Sequence, residues 1–331
     1  MKLTTKFVSG VFSLAILLLA IQAPVYGKDL KAVPFFTAEE AYRQGMAAFR
    51  SGTMELAIPA LNYASDSGYQ YADLTLARIY QEGIGIPRDD EKAYYHYKQY
   101  AYKFAAVSSD HHLAADVATA FVALGLYQLK GIPESNIRKD ARLAFKHFKH
   151  AAANLKDPVA GFQLARMYQK GEGTSKNLRM AARWFNFSYK KNHTESQAIL
   201  GNLFWRGIGV RRNRAIGLAL MKIANENAQD TSCPGYSGGS QRWIEKAYQN
   251  LITAADPNTS ESAEQYFTKL YRPCDRSDEL PSINGILIKN NPVPGSEPRM
   301  DRHRLPGSDR QQIADPGRTG SNTGFGFTNN Q

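Results

Sequence analysis

The sequence is poor in cysteine, in acidic residues relative to basic ones, and in long apolar runs. Two cysteines occur among 331 residues, too few for a disulfide-rich scaffold. Lysine and arginine number 41 against 30 acidic residues, giving a formal charge of +11. The one long apolar run, Phe7 to Ala20, is too short to span a bilayer comfortably. These features favour a basic protein outside the membrane.

That apolar run has the flanks of a secretory signal peptide. Lys2 and Lys6 precede it, and Val25-Tyr26-Gly27 offers small residues at the two positions that signal peptidase reads. We expect residues 1–27 to be cleaved and the mature chain to carry about +9; a membrane anchor is the alternative. An exported basic protein meets membranes, wall polymers and other exported proteins, so nucleic acid is a poor candidate partner.

Export also bears on the two cysteines, Cys233 and Cys274. An even count in an exported chain suggests a disulfide, and closing a loop of about 40 residues would stabilise the fold by roughly 4 kcal/mol. Two separately buried free thiols are the alternative. Neither cysteine has neighbours at the spacing of metal ligands.

One eleven-residue segment recurs, as LARIYQEGIGI (76–86), LARMYQKGEGT (164–174) and LGNLFWRGIGV (200–210). Each copy has a leucine, an aromatic residue and a glycine at i, i+4 and i+7, which places them on one helical face that ends at the glycine. Weaker copies occur at 45–52 and 124–131. The glycines recur every 31 to 48 residues, a period typical of helical solenoids.

A second helical pattern, rich in alanine and aromatic residues, accompanies each copy. Small residues let antiparallel helices approach closely, and aromatic side chains fill the space between them. One helix pair cannot bury its own apolar face, so each copy provides the wall for the next. We therefore predict an all-α solenoid of about five helix pairs. The five sets are Ala57, Leu61, Ala64; Ala93, Tyr97, Tyr100; Ala144, Phe148, Ala151; Ala181, Phe185, Ser188; and Ala215, Ala219, with Lys222 at the last position.

The predicted solenoid covers residues 37–230, after a linker at 28–36. Residues 231–274 are predicted to form a cap, in which a Gly/Ser loop precedes two closing helices, RWIEKAYQNL (242–251) and SAEQYFTKLY (262–271). From 275 to 331 few large apolar residues remain, so we expect a mostly disordered tail. Within it, INGILIKN (283–290) is a candidate short strand or docking peptide.

The alternating Leu-x-x-x-aromatic-x-x-Gly-x-Gly and Ala-x-x-aromatic-aromatic-x-x-Ala segments resemble Sel1-like repeats, relatives of tetratricopeptide repeats. In order, residues 37–68, 76–97, 118–133 and 181–210 resemble the ExoR family, periplasmic negative regulators of exopolysaccharide synthesis in rhizobia and related bacteria. The match covers residues 37 to about 225.

The resemblance implies a right-handed α-solenoid that binds and inhibits the periplasmic sensor domain of a histidine kinase (ExoS, of the ExoS–ChvI system). Proteolysis by a periplasmic protease, favoured by acid, would relieve the inhibition. It implies neither enzymatic activity nor a cofactor, and leaves homo-oligomerisation open. An envelope scaffold for polysaccharide or wall-processing proteins is one alternative. A hydrolase is another, because some cysteine-rich Sel1-like proteins have β-lactam chemistry, but those carry a cysteine pair in every repeat.

Two surfaces are candidates for partner binding. In AYYHYKQYAYKF (93–104) we predict that Tyr97 and Tyr100 are core residues, whereas Tyr95, Lys98 and Tyr102 occupy another face. Rigid aromatic residues beside cations are common at protein-binding hot spots, although ordinary helix packing is the alternative. The second candidate is a group of arginines around the last clear turn, which would suit an acidic partner or anionic head groups. They are Arg206, Arg211, Arg212 and Arg214.

Four histidines are candidates for pH sensing, because histidine changes charge between pH 5 and 8. His111 and His112 precede a predicted helix, and His147 and His150 lie beside Lys146 and Lys149 in FKHFKHAA (145–152). The simpler interpretation of that second segment is a solvated polar edge. A third ligand for a metal ion is not evident.

Two glycine motifs resemble catalytic or phosphate-binding signatures without their context. The Gly-x-Gly of each repeat lacks a following Gly-Lys-Ser/Thr and a preceding strand, so we predict turns between helices. GYSGG (235–239) matches a nucleophile elbow, but no strand precedes it, and the one later histidine, His303, lies in the predicted tail. We predict a flexible loop and no catalytic residue.

Overall fold

The computed structural model describes residues 37–229 and 241–272 of the chain. Within these ranges the chain forms twelve helices and no strand, in agreement with the predicted all-α fold. It divides into two compact units, one ending at Tyr69 and the other beginning at Gln70. Several predictions concern parts outside the described residues: the leader (1–27), the linker (28–36), Cys233, Cys274, the GYSGG motif and the segment from 275 to 331.

The first unit is a helical hairpin of α1 (Ala38–Arg50) and α2 (Met54–Asp66). The side chain of Thr37 caps α1 by accepting a hydrogen bond from the Glu40 amide at 3.1 Å. The two helices approach closely at Gly45, where a Cβ would lie 2.9 Å from Cγ of Leu61. This confirms that the weak copy of the repeat at 45–52 forms a helix pair like the others.

The second unit contains ten helices. They are α3 (Ala72–Glu82), α4 (Asp90–Lys103), α5 (Ala114–Lys130), α6 (Ala141–Ala153), α7 (Pro158–Lys170), α8 (Leu178–Lys190), α9 (Thr194–Arg206), α10 (Arg214–Gln229), α11 (Gln241–Thr253) and α12 (Pro257–Leu270). Successive helices pack against each other as hairpins from α3 to α10, and α11 and α12 both pack against α10.

The two sequence stripes form the core, as predicted. Leu76, Leu164 and Leu200 are buried from the first helix of three pairs, and Phe148 and Phe185 are buried from the second helix of theirs. Aromatic rings thus lie between helices that alanines allow to approach closely. Burial of these apolar side chains between helices stabilises the packing of each helix pair against the next.

Three turns repeat the same geometry. Gly83, Gly171 and Gly207 end α3, α7 and α9 in the left-handed region, with φ of 68°, 79° and 74°. The amide of the residue that caps the next helix then donates to the carbonyl of the repeat's aromatic residue, for example from Asn177 to Tyr168 at 2.8 Å. The Gly-x-Gly segments are therefore turns, as predicted.

The second glycine of the motif has a separate structural reason. A Cβ on Gly173 would collide with the carbonyl of Ala141, and a Cβ on Gly209 would collide with the carbonyl of Leu178. Each turn therefore rests directly on the start of a helix in the preceding pair. Glycine is required for this backbone contact as well as for the positive φ.

The turn between α5 and α6 departs from this geometry. It runs from Gly131 to Asp140, three residues longer than the turns at 83–89, 171–177 and 207–213. Gly131 has ψ of 170°, unlike the left-handed caps of the other turns, and Pro133 replaces the second glycine. Asp140 nevertheless closes the turn, because its amide donates to the Gln128 carbonyl at 2.8 Å.

The repeat pattern fails at Lys222, and this residue contacts the cap helix α12. Lys222 of α10 contacts both carboxylate oxygens of Glu264 on α12 at 2.8 Å, and its Nζ lies 4.2 Å from the centre of the Phe267 ring. Ile244 of α11 is fully buried against α9 and α10. The two predicted closing helices are thus confirmed, and α12 begins five residues before its predicted segment, where Asp256 caps it.

Candidate partner-binding surface

Helix α4 separates its tyrosines between the core and the surface. Asp89 caps the helix by accepting from the Lys92 amide at 2.9 Å. Tyr97 and Tyr100 are buried, as predicted, and Tyr97 donates its hydroxyl proton to Gln81 of α3. Tyr95 lies on the opposite side of the helix with 44% of its surface exposed.

Tyr95 and the exposed Lys98 line a groove of about 420 Å³, within the usual size range of small-ligand clefts. Helix α4 forms one wall and the long α5–α6 turn forms the other. The lining residues are Tyr94, Tyr95, Lys98, Gln128, Asn136, Ile137, Arg138, Lys139 and Asp140.

Tyr94 and Gln128 form the floor of this groove. Both side chains are more than nine-tenths buried, and Nε2 of Gln128 donates to the Tyr94 hydroxyl at 2.6 Å. Burial raises the pKa of Tyr94 above its usual 10, so the hydroxyl stays protonated at neutral pH. The Gln128 backbone also holds the end of the long turn, which fixes the two walls relative to each other.

Tyr102, the third residue predicted for this face, does not line the groove. Its hydroxyl lies 2.9 Å from Nε2 of His147 on α6, and its ring packs edge-on against Phe121 of α5. Desolvation raises the pKa of Tyr102 to about 12. The half-buried ring therefore links three helices beneath the surface that Tyr95 and Lys98 present.

The prediction of a solvated edge at FKHFKHAA is wrong. His147 is 1% exposed and His150 is 9% exposed, because Tyr102 and the Phe121 ring cover them. Burial lowers the pKa of His147 to about 4, and burial likewise lowers the pKa of His150. Both rings are therefore neutral at pH 7, and the flanking lysines had suggested a polarity that the tertiary packing overrides.

The other two histidines lie at the surface before α5. The rings of His111 and His112 are exposed and their centres are 4.3 Å apart. Nδ1 of His111 accepts from the Leu113 amide at 3.1 Å. The four predicted pH-sensing residues therefore form one buried pair and one exposed pair.

The predicted arginine group surrounds the α9–α10 turn. Arg206, Arg211 and Arg212 are exposed, and within the described part of the chain none of them has an ion-pair partner. Arg214 packs with its guanidinium 5.3 Å from the Trp205 ring centre. At the equivalent turn before α4, by contrast, Arg88 pairs with Asp90 at 2.8 Å. Arg206, Arg211 and Arg212 thus carry positive charge that no carboxylate of the described residues pairs with. The pKa of the Asp256 carboxyl, in turn, is lowered by hydrogen bonds from Thr259 and, to a smaller extent, by the nearby Arg214.

The described residues contain no group of three histidine, cysteine or acidic side chains arranged to hold a metal ion. None of the helices in the two described ranges is both long and apolar enough to cross a membrane.

Sequence reasoning missed the side of the groove that the long turn forms. Arg138 and Gln128 belong to segments that the repeat pattern treats as a turn and a core helix. The signal that was present is the interval of 40 residues between Gly131 and Gly171, which contains this turn and is four residues longer than the interval of 36 between Gly171 and Gly207. An insertion of this kind usually emerges in a loop at the surface.

Comparison with known families places Sel1 repeats at residues 70–103, 120–154, 158–193 and 194–228. These four segments correspond to the helix pairs α3–α4, α5–α6, α7–α8 and α9–α10. The comparison therefore divides the chain at the same points as the structure.

Two curated relatives have the same description, exopolysaccharide production negative regulator. The chain is 29% identical over 258 residues to the protein of Rhizobium leguminosarum bv. viciae, covering 76% of this chain and 89% of that protein. It is 30% identical over 183 residues to the protein of Rhizobium meliloti strain 1021, covering 55% of this chain and 66% of that protein.

A solved Sel1 repeat protein from Oxalobacter formigenes has a similar fold. The TM-score is 0.52 with 17% sequence identity, and the alignment covers 73% of this chain and 87% of that one. At this identity the likeness establishes the helical repeat architecture alone.

Proposed function

We propose, from the premise that this chain is a Sel1 repeat protein similar to bacterial regulators, that it restrains exopolysaccharide production by binding another protein. The observation that carries the proposal is the similarity over 258 residues to a negative regulator of exopolysaccharide production, 89% of which is covered. The four Sel1 repeat segments of this chain supply a scaffold that could hold a partner.

The partner we propose is the periplasmic sensor domain of a two-component histidine kinase. The predicted leader would place the mature chain outside the cytoplasm, whereas polysaccharide production is controlled within the cell. An exported regulator must therefore act through a protein that crosses the membrane, and a sensor kinase is such a protein. Proteolysis of the regulator would then release the kinase.

The arginine turn is the surface we assign to this contact. Arg211 and Arg212 are exposed and have no ion-pair partner in the described residues. Positive side chains in this state attract an acidic surface over several ångströms and speed the encounter. The stacking of Arg214 on Trp205 adds a rigid aromatic edge beside the charges.

The test is to crosslink the tagged chain in living cells and to identify the captured proteins by mass spectrometry. A sensor kinase is the expected product. The purified sensor domain should then bind the regulator, and the double substitution Arg211→Glu with Arg212→Glu should slow association by about tenfold or more while changing dissociation less. Raising the salt concentration should slow association of the unsubstituted protein in the same way.

A matched control places the same change of charge one repeat earlier, at Lys176→Glu with Arg179→Glu. Both residues are exposed, and their substitution should slow association much less. An equal effect of the two double substitutions would contradict a localised docking surface. Capture of wall-processing or polysaccharide enzymes without any kinase would favour the scaffold function instead.

A further inference from the structure

The groove between α4 and the long α5–α6 turn contains positive charge that no ion pair of the described residues neutralises. Lys98 and Arg138 face it from opposite walls, and neither has an ion-pair partner in the described ranges. Lys139 is partly neutralised by Glu172 at 3.6 Å. Asp140 is held by helix capping, since its side chain accepts from the Leu143 amide at 2.9 Å. The groove therefore offers two cations to a ligand.

The groove also offers a flat aromatic face. Tyr95 is 44% exposed, and its ring is held edge-on against Tyr94 with the ring centres 5.7 Å apart. A ring fixed in this way presents an apolar surface with little loss of side-chain freedom on binding. Such a surface suits the apolar face of a sugar ring.

The floor can both donate and accept hydrogen bonds. The Tyr94 hydroxyl accepts from Gln128, and no acceptor for its own proton is found among the described residues. Asn136 at the rim adds an amide. Ile137 is the one aliphatic side chain among the lining residues, so hydrogen-bonding groups outnumber apolar ones. A ligand with several hydroxyl groups would satisfy this lining.

We propose that this groove binds a carboxylate-bearing oligosaccharide. The sugar ring stacks on Tyr95, its carboxylate pairs with Lys98 and Arg138, and its hydroxyls reach the Tyr94–Gln128 floor. Arginine can hold a carboxylate through two parallel hydrogen bonds, which gives a preference for carboxylate over neutral sugars. An acidic peptide fits less well, because peptide grooves usually provide apolar pockets or a strand edge for the backbone.

The proposal is tested by titrating tri-galacturonate into the full chain, purified from an exporting host, in a calorimeter at low salt. Maltotriose serves as the neutral sugar and tri-glutamate as the acidic peptide. Binding of tri-galacturonate at least tenfold tighter than either is expected. No binding of tri-galacturonate, or equal binding of tri-glutamate, would overturn the proposal.

Substitutions locate the site. Lys98→Ala and Arg138→Ala should each weaken binding of tri-galacturonate by about tenfold or more, since each removes a charge-assisted hydrogen bond. Tyr95→Ala should weaken it similarly, whereas Tyr95→Phe keeps the stacking face and should retain most of the affinity. Lys170→Ala, an exposed lysine at the end of α7, is the matched control. Unchanged affinity in Lys98→Ala and Arg138→Ala would place the ligand elsewhere and refute the groove.

This site is independent of the arginine turn assigned to the kinase. Arg211→Glu with Arg212→Glu should slow kinase association and leave binding of tri-galacturonate within about twofold. The groove substitutions should have the opposite pattern. Failure of one proposal is therefore distinguishable from failure of the other.

Discussion

The α7–α8 and α9–α10 turns differ from the α5–α6 turn in length, backbone geometry and surroundings. The regular turns end at a left-handed glycine and rest on the preceding pair through a second glycine. The α5–α6 turn is three residues longer and has Pro133 where the second glycine would be. Its additional residues, including Arg138, form a wall of the groove.

This difference shows what the repeat itself determines. Where the turn is regular, its residues are used for packing between pairs, and every glycine has a steric reason. Where the turn is longer, hydrogen bonds at its ends and within it hold its shape, for example from the Ile132 amide to the Ile137 carbonyl at 2.9 Å, and exposed residues such as Arg138 present side chains to the groove. The departure from the repeat, rather than the repeat, therefore forms the groove wall that carries Arg138.

The strongest test of this comparison is to make the turns alike. Replacing residues 131–140 with the seven residues of the 171–177 turn should preserve the helices, because both turns close through the same hydrogen bond between the capping residue and the end of the previous helix. The groove wall would be lost, and tri-galacturonate binding should fall by more than about a hundredfold. Circular dichroism and calorimetry measure the two effects. Retained affinity in a folded variant would show that the longer turn does not form the site.

The contribution of a regular turn to stability can be tested by replacing each of its two glycines, which are two residues apart, with alanine. Gly173→Ala should destabilise the chain by about 3–5 kcal/mol, because its Cβ would collide with the backbone carbonyl of Ala141, which cannot move without shifting the preceding pair. Gly171 also has a positive φ, 79° against 69° for Gly173, but a Cβ added there would lie 3.2 Å from its nearest neighbour, on Lys176. Gly171→Ala should cost only about 1 kcal/mol.

Urea unfolding of both alanine variants measures these free energies. Equal losses of stability would mean that the turns contribute through backbone conformation alone. The stacking of successive turns would then have no part in holding the helix pairs together.

The pair α5–α6 should also lose stability in acid. His147 has an ordinary pKa of 6.5 and a folded pKa of about 4, because burial disfavours the charged ring. The unfolded chain therefore binds more protons between these values, and stability rises with pH across that window. Full stability holds above about pH 6.5 and is lost as the pH falls towards 4, with His147 accounting for about 2 kcal/mol at pH 5.

The groups around His147 would not offset this loss. A charged His150 opposes protonation more than Asp140 favours it, and Lys98 and Lys146 add smaller effects that also oppose it. His147→Gln should reduce the acid-induced loss of unfolding free energy between pH 7 and pH 5 by about 2 kcal/mol. The control is His111→Gln with His112→Gln, which changes exposed rings and should leave the pH dependence as it was. Equal pH profiles for all three proteins would contradict a role for burial.

The sequence predicted the helix pairs and the turns because both depend on local period and on glycine. Tyr97 and Tyr100 could be assigned to the core in this way. His147 could not, because lysines on either side indicate a polar face, and only the rings of Tyr102 and Phe121 from two other helices bury it. The groove was missed for a similar reason. A period identifies which face of a helix is buried, but not where an insertion lies in space.

The smallest expected effect concerns the other departure from the repeat, Lys222. At this position the first four sets have a small or aromatic core residue, whereas Lys222 binds Glu264 and lies over Phe267 of the cap. Glu264 is 61% exposed, so the ion pair is screened by solvent and contributes at most about 1 kcal/mol. The contact with the ring adds about 0.5–1 kcal/mol.

Lys222→Met keeps the apolar stem and removes the charge, so it should destabilise the chain by about 1 kcal/mol. A double-mutant cycle with Glu264→Gln separates the ion pair from the ring contact. If Lys222→Met leaves the unfolding free energy unchanged, the lysine is merely tolerated beside α12, and apolar contacts hold the cap, among them those of Leu218 with Ala263 and those of Ile244.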